Sequence, residues 1–175
     1  MNTIPSPQKD SYVWGSETIL WGSSLDHKYT YKLLLPNVGK SGCLSLQSHK
    51  YKSETWLVTK GLVWAVIISD WKVTSMVLKE GDFLNLEAGT IHRLMGITEG
   101  CTVAEASTPD RHAADKSIKK DVIRWHCVFG RECVTPTTEF DKELIEVAVS
   151  MTDRAIFQID KGQLPTPENY QLTYF

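Results

Sequence analysis

The sequence has no long apolar segment, no surplus of one charge and no low-complexity tract, and each absence argues against a class of protein. No run approaches the roughly 18 apolar residues that a membrane helix needs. The first ten residues are polar and include two prolines, so they do not predict a signal peptide. A formal net charge of −2 argues against a surface that binds duplex nucleic acid or an anionic membrane. We therefore expect a cytoplasmic protein with neither kind of partner.

The cysteines and glycines form no motif of their own. The four cysteines, at positions 43, 101, 127 and 133, match neither the spacing of zinc knuckles nor a redox motif, so we expect reduced thiols. There is no glycine-rich phosphate loop. The chain has 175 residues, of which 42% are apolar, so it is long enough for one domain with a substantial core and too short for two ordinary domains.

Short strand patterns separated by turn residues run through the first three quarters of the chain. We predict strands over 12–20, 29–35, 43–49, 56–58, 62–68, 73–78, 83–86, 91–95, 102–106 and 121–128. Residues 1–10 lack periodicity and predict a mobile arm, and the charged stretch over 107–120 predicts a loop with one helical turn. Evenly spaced short strands that bury one face are typical of a small barrel or a double-sheet jelly roll.

The last quarter of the chain has a helical period. Thr137 or Thr138 can cap a helix that carries Glu139 in its first turn and ends before Gly162. Apolar residues recur every three or four positions, at Phe140, Leu144, Val147, Ala148, Met151, Ala155 and Ile159. We predict a helix from about 138 to 160 that packs on the outside of the barrel or against a second subunit. The chain thus divides into a barrel domain with its N-terminal arm over 1–128 and a helical extension over 129–175.

A homodimer is also expected. An isolated barrel leaves sheet edges and an apolar outer face uncovered, and a second subunit is one common cover. The C-terminal helix and the N-terminal strand are the two candidates for this contact.

Four side chains in the central stretch can form a mixed nitrogen and oxygen ligand set. Gln47 and His49 alternate in one predicted strand, so both point to the same face. Glu54 follows closely, and closing a barrel is the simplest way to bring His92 beside the other three. Each residue alone is more often an ordinary surface or core residue. Together they predict one divalent metal, because imidazole and carboxylate suit zinc, manganese, iron or nickel and an amide carbonyl adds a neutral oxygen.

The spacing of these residues resembles the two motifs of the cupin superfamily. The matching patterns are Gln47-x-His49-x4-Glu54-x6-Gly61 and Gly81-x5-Glu87-x-Gly89-x2-His92-x3-Gly96. The segments over 44–56 and 90–94, with flanking pieces at 14–15 and 121–124, further resemble the cupin domain of type II mannose-6-phosphate isomerases. The resemblance covers about residues 12–126 and implies an all-β, cupin-type barrel or jelly roll, to which the predicted C-terminal α-helix is added.

This resemblance implies a function. It implies a metal-dependent aldose-ketose isomerase that interconverts mannose-6-phosphate and fructose-6-phosphate through an enediolate, in carbohydrate or nucleotide-sugar metabolism. The ligand set is also similar to the zinc set of type I phosphomannose isomerases, so zinc is the expected metal. Candidates for the catalytic base are Glu105 and His126, and candidates for binding the substrate's phosphate are Lys52, Arg93 and Arg124. Two alternatives stay open: a metal-dependent cupin oxygenase and a non-catalytic sugar-binding cupin.

Overall fold

The computed structural model describes residues 6–173 and consists of two antiparallel sheets with one long helix against the second. The first sheet has the strand order β1 (Gln8–Tyr12), β2 (Gly15–Trp21), β3 (Thr30–Pro36), β10 (Thr102–Ser107), β5 (Glu54–Lys60), β8 (Phe83–Leu86). The second has the order β11 (Val122–His126), β4 (Leu46–His49), β9 (Ile91–Gly96), β6 (Leu62–Ser69), β7 (Lys72–Lys79), β12 (Asn169–Gln171). The helices are a 3₁₀ turn (Gly39–Gly42), α1 (Arg111–Ala114) and α2 (Glu139–Asp160).

Side-chain alternation divides the apolar residues between two cores. Val63 and Ala65 of β6 belong to a buried cluster that also contains Trp56 of the first sheet, so this cluster fills the space between the sheets. Trp64 and Val66 point the other way and belong to a second cluster on the outer face of the second sheet. The prediction of an all-β jelly roll is therefore confirmed.

Helix α2 covers that outer face. It begins after Thr138, whose hydroxyl oxygen accepts a hydrogen bond from the backbone N–H of Asp141 at 3.0 Å. Its buried apolar residues belong to the outer cluster: Leu144, Ile145, Ala148, Met151 and Ala155. The predicted helix is confirmed, and its apolar stripe packs on the barrel of the same chain. No helix in the described part of the chain is long and apolar enough to cross a membrane.

Both ends of the chain add a strand that the sequence pattern does not predict. Strand β1 pairs with β2 across a tight turn in which Tyr12 lies opposite Gly15, so the predicted mobile arm is wrong for residues 8–10. Residues 1–5 of that arm lie outside the described residues. Strand β1 is a polar edge strand, and therefore no apolar alternation marks it. Strand β12 pairs with β7, so the segment after α2 joins the second sheet, and the domain division at residue 128 stays a prediction.

Candidate metal centre

Three strands bring the four predicted ligands to the interior of the jelly roll. Strand β4 carries Gln47 and His49, and its pairing with β9 places Gln47 opposite His92. A turn ties the two strands together, because the N–H of Gly89 donates to the carbonyl of His49 at 2.7 Å. Gly89 has a φ of +91°, a conformation that side chains rarely adopt, so the glycine makes this turn possible. Glu54 begins β5 in the first sheet.

His49, Glu54 and His92 form a compact buried cluster. One ligand atom from each residue lies within 4.8 Å of the other two. Glu54 Oε1 is 3.2 Å from His49 Nε2, and Glu54 Oε2 is 3.7 Å from His92 Nε2. The two imidazole rings stack with centroids 5.7 Å apart, and none of the three side chains is more than 8% exposed. The ligand atoms are therefore close together and screened from bulk water before any ion binds.

The imidazole of His92 is in the form that a metal requires, and His49 has buried ring nitrogens beside it. Nδ1 of His49 and Nε2 of His92 are buried with no hydrogen-bond partner among the described residues, and Nε2 of His49 has only its 3.2 Å contact with the Glu54 carboxylate. His92 Nδ1 lies 3.0 Å from the carbonyl oxygen of Thr90, which can only accept, so the proton is on Nδ1 and the lone pair is on Nε2. Burial lowers the pKa of His92 to about 4, and the ring is neutral at pH 7. Two imidazoles beside a carboxylate, one of them held neutral by burial, fit a divalent metal such as zinc.

Glu54 is oriented by two further contacts. Trp56 Nε1 donates to Oε2 at 2.9 Å, and the Lys52 ammonium contacts Oε1. Burial alone would raise the pKa of the Glu54 carboxyl, but Lys52 and the two imidazoles outweigh it and hold this pKa well below its usual range. Glu54 is thus ionised, as a metal ligand must be. Lys52 contacts the oxygen that faces His49, so Lys52 and a bound ion would share this carboxylate.

A second buried carboxylate lies beside the cluster. Glu105 of β10 is 3.2 Å from Lys52 Nζ, so Lys52 connects Glu105 to Glu54. Strand pairing places Glu105 opposite Trp56 on one side and Lys32 on the other. Burial and the negative charge of Glu54 raise the pKa of Glu105. A carboxyl group with a raised pKa can take up and release a proton nearer to neutral pH.

Arg93 and His126 do not reach this interior, and the roles expected for them are corrected. Arg93 follows His92 in β9, so its side chain points to the opposite face, under α2. There the guanidinium donates to Thr152 Oγ1 at 2.8 Å and to the His126 carbonyl at 3.1 Å, and it lies 2.7 Å from His126 Nδ1. His126 is turned to this face because the register of β11 shifts between Arg124 and His126, which places His126 opposite Leu46 of the outer cluster.

A cavity of about 770 Å³ opens onto the cluster, a size that suits a small-molecule ligand. Apart from Arg93, His126 and His92, all of the predicted site residues line this cavity: Gln47, His49, Lys52, Glu54, Glu105 and Arg124. Sequence reasoning missed the stacked pair of Tyr12 and Trp14, whose ring centroids are 5.1 Å apart, and Arg131. Both parts of the wall come from segments outside the spacing motifs, and no local pattern marks them as site residues.

Comparisons with known proteins bear on the fold. No family model matches the sequence, and no curated protein matches it. The capsular polysaccharide assembling protein CapF from Staphylococcus aureus has a similar structure, with a TM-score of 0.54 and 13% identity over 70% of this chain and 32% of CapF. KdgF from a Halomonas species gives 0.51 and 14% over 67% of this chain and 97% of KdgF. A variant of Bacillus subtilis oxalate decarboxylase gives 0.54 and 12% over 68% of this chain and 30% of the decarboxylase.

These similarities define the class of protein by its fold. The chain spans about a third of the length of CapF and of oxalate decarboxylase, and it matches nearly the whole of KdgF. At identities this low, a shared structure shows the fold alone. The protein is an all-β jelly roll of the cupin type. Within that fold it has a buried triad of two histidines and a glutamate that could hold one metal ion.

Proposed function

We propose that the protein is a metal-dependent aldose-ketose isomerase that acts on a sugar phosphate of the mannose-6-phosphate type. Such a reaction needs an electrophile at the carbonyl oxygen of the substrate and a base at the neighbouring carbon. The cavity offers a candidate for each. The observation that most supports the proposal is that the triad and Glu105 are joined by a single lysine, Lys52.

Gln47, His49, Glu54 and His92 would hold the ion, with zinc as the expected metal. When bound, the ion supplies the electrophile that polarises the carbonyl oxygen of the substrate. Gln47 Oε1 accepts a hydrogen bond from Ser45 Oγ at 2.7 Å, which orients the amide. An amide oxygen has two lone pairs, so Gln47 could keep this hydrogen bond while it acts as a ligand.

Glu105 would act as the base. Its carboxylate would accept the proton from the hydroxyl-bearing carbon beside the carbonyl and return it to the former carbonyl carbon, while the hydroxyl proton passes to the former carbonyl oxygen. Lys52, 3.2 Å from Glu105, favours the ionised carboxylate before the proton is transferred. The same ammonium lies between Glu105 and Glu54, where it could also stabilise negative charge that develops on a substrate oxygen.

The proposal includes a cytoplasmic location and a homodimer. A reducing compartment is consistent with the four cysteines, which all lie in the described part of the chain and form no disulfide. The apolar stripe of α2 is used within the chain, so β1 at the edge of the first sheet is the better candidate for a contact between subunits. Sedimentation at micromolar concentration tests this, and a monomer would contradict it.

The test of the proposed reaction combines metal content with an activity assay. The purified protein should contain zinc and should convert fructose-6-phosphate to mannose-6-phosphate, with activity lost on chelation and restored by zinc. Iron together with substrate-dependent oxygen uptake would instead support an oxygenase. Sugar-phosphate binding without turnover in the metal-loaded protein would support a non-catalytic binding protein. Either result would contradict the isomerase.

A further inference from the structure

The cavity wall contains more cations than its carboxylates can pair. Four carboxylates are already held by two buried lysines: Glu17 and Asp110 by Lys32, and Glu54 and Glu105 by Lys52. A fifth, Asp121, accepts hydrogen bonds from the backbone N–H groups of residues 50–52 at 2.9 to 3.1 Å. These five carboxylates therefore already have partners. Any further positive charge on the wall needs a negative charge from elsewhere to balance it.

Lys120, Arg124 and Arg131 also line the cavity, and none of them forms an ion pair with a carboxylate of residues 6–173. Arg124 Nε and Arg131 Nη2 are buried, and neither finds a hydrogen-bond acceptor in that part of the chain. Partial burial lowers the pKa of Lys120; the nearby Glu17 carboxylate, which is already paired with Lys32, opposes this, but the nearby cations Lys116, Lys32 and Arg124 add to the lowering. Charged donors left without an acceptor cost stability, so this part of the wall is suited to receive an anion.

The three cations come from consecutive segments that fold around β11. Arg124 lies opposite Gln47 in the β11–β4 pair, so it borders the candidate metal centre. The loop after β11 returns to it, because the N–H of Val134 donates to the Arg124 carbonyl at 2.8 Å. Within that loop Arg131 Nε lies 3.1 Å from Cys127 Sγ, which fixes the start of its guanidinium group. Lys120 comes just before β11, and its Nζ lies 5.4 Å from the centroid of the Tyr12 ring on the cavity wall.

We propose that Lys120, Arg124 and Arg131 form the binding site for a phosphate group of the ligand, on the Gln47 side of the candidate metal centre. Two guanidinium groups and one ammonium group provide several N–H donors and three positive charges. This set suits a tetrahedral dianion better than a singly charged carboxylate. This phosphate site extends the proposed function, because it names the residues that anchor the sugar phosphate. The biological role of the site rests on that proposed function.

This assignment changes which residues hold the phosphate. Lys52 is already bound to two buried carboxylates, and Arg93 is fully buried on the other face of the second sheet. Of the three cations that the sequence suggests, only Arg124 is free to bind a ligand anion. Arg131 and Lys120 take the place of the other two.

Inorganic phosphate tests the site without requiring turnover. Calorimetric titration of metal-free protein with phosphate should show binding, and titration with acetate should show weaker binding. Arg124→Gln and Arg131→Gln should each weaken phosphate binding about tenfold or more, since each removes a charged donor. Lys79→Gln is the matched control: it also removes one positive charge, but at an exposed position at the end of β7 that does not line the cavity, and it should bind phosphate like the wild type.

Several results would overturn the site. These are absence of phosphate binding to the wild-type protein, unchanged affinity in both arginine variants, an equal loss in Lys79→Gln, and tighter binding of acetate than of phosphate. Lys120→Gln, at an exposed position, provides a third variant if an arginine variant does not fold. His92→Ala separates this site from the proposed reaction. This variant should lose turnover and keep phosphate binding. If the wild-type protein turns over substrate but the arginine variants bind phosphate normally, the phosphate site has failed. If the wild-type protein binds phosphate as expected but shows no turnover, the proposed reaction has failed.

Discussion

Lys52 should be required for the stability of the metal-free protein and much less so once a metal is bound. The ammonium group contacts Glu54 and lies 3.2 Å from Glu105, and all three side chains are at most 8% exposed. Lys52→Met keeps most of the side-chain volume and leaves two buried carboxylates without their shared cation. Breaking a buried ion pair in this way costs about 3–5 kcal/mol. Burial already raises the pKa of Glu105, so this carboxyl group can take up a proton in the variant. That uptake would keep the cost toward the lower end of this range.

The loss should appear as a melting temperature lowered by roughly 6–12 °C in metal-free protein, since 1 kcal/mol corresponds to roughly 2–4 °C for a chain of this length. A divalent ion on Glu54 would replace the missing positive charge, so zinc should raise the melting temperature of Lys52→Met more than that of the wild type. Lys32→Met is the matched control. Lys32 is equally buried and is paired with Glu17 and Asp110, so its loss should destabilise the protein without increasing the effect of zinc.

Two results of this thermal-shift experiment would refute the reasoning. If metal-free Lys52→Met melts like the wild type, the buried carboxylates do not depend on this lysine. If zinc stabilises Lys52→Met and Lys32→Met to the same extent, then Lys52 and the ion do not share Glu54.

Three further predictions test the neighbouring residues. Glu105→Gln should keep bound zinc and lower the rate of fructose-6-phosphate conversion by about 10²- to 10⁴-fold, because it removes the base; an unchanged rate in a kinetic assay would exclude Glu105 from catalysis. Arg93→Met should lower the free energy of unfolding in urea and leave the KM of the active enzyme unchanged, because Arg93 binds Thr152 and His126 outside the cavity; a raised KM would contradict that position. Metal-free protein should lose stability as the pH falls from about 6.5 to about 4, because the unfolded state binds a proton at His92 in this range while burial keeps the folded state unprotonated. The contribution is up to about 3 kcal/mol, and it should be missing in urea titrations of His92→Ala.

Regular periodicity made much of the fold predictable from the sequence. The three-to-four spacing over α2 and the capping position at Thr138 agree with the structure almost to the residue. Strand alternation correctly places Gln47 and His49 on one face. By contrast, β1 is a polar edge strand and β12 has only three residues, so neither carries the apolar alternation by which strands are recognised.

The site could be predicted from the sequence where alternation within one strand determines which face of the sheet a side chain lies on. The same rule that turns His92 inward turns its neighbour Arg93 outward, and applying it would have removed Arg93 from the substrate site. His126 is different, because simple alternation would place it on the same face as Arg124. The register shift between the two residues separates them, and an irregularity of this kind has no signature in the sequence. Arg131 lies in a loop whose return to β11 depends on a tertiary hydrogen bond.

The most direct test of the metal centre is elemental analysis of the wild-type protein, His49→Ala and His92→Ala after reconstitution with zinc and removal of the excess. We expect about one ion per chain in the wild type and loss of most of it in both variants, because each removes a ligand from a three- or four-ligand site. Circular dichroism should show the same β-sheet content in all three proteins, since the core between the sheets is apolar. Full metal content in both variants, or no metal in the reconstituted wild type, would contradict a metal centre at His49, Glu54 and His92.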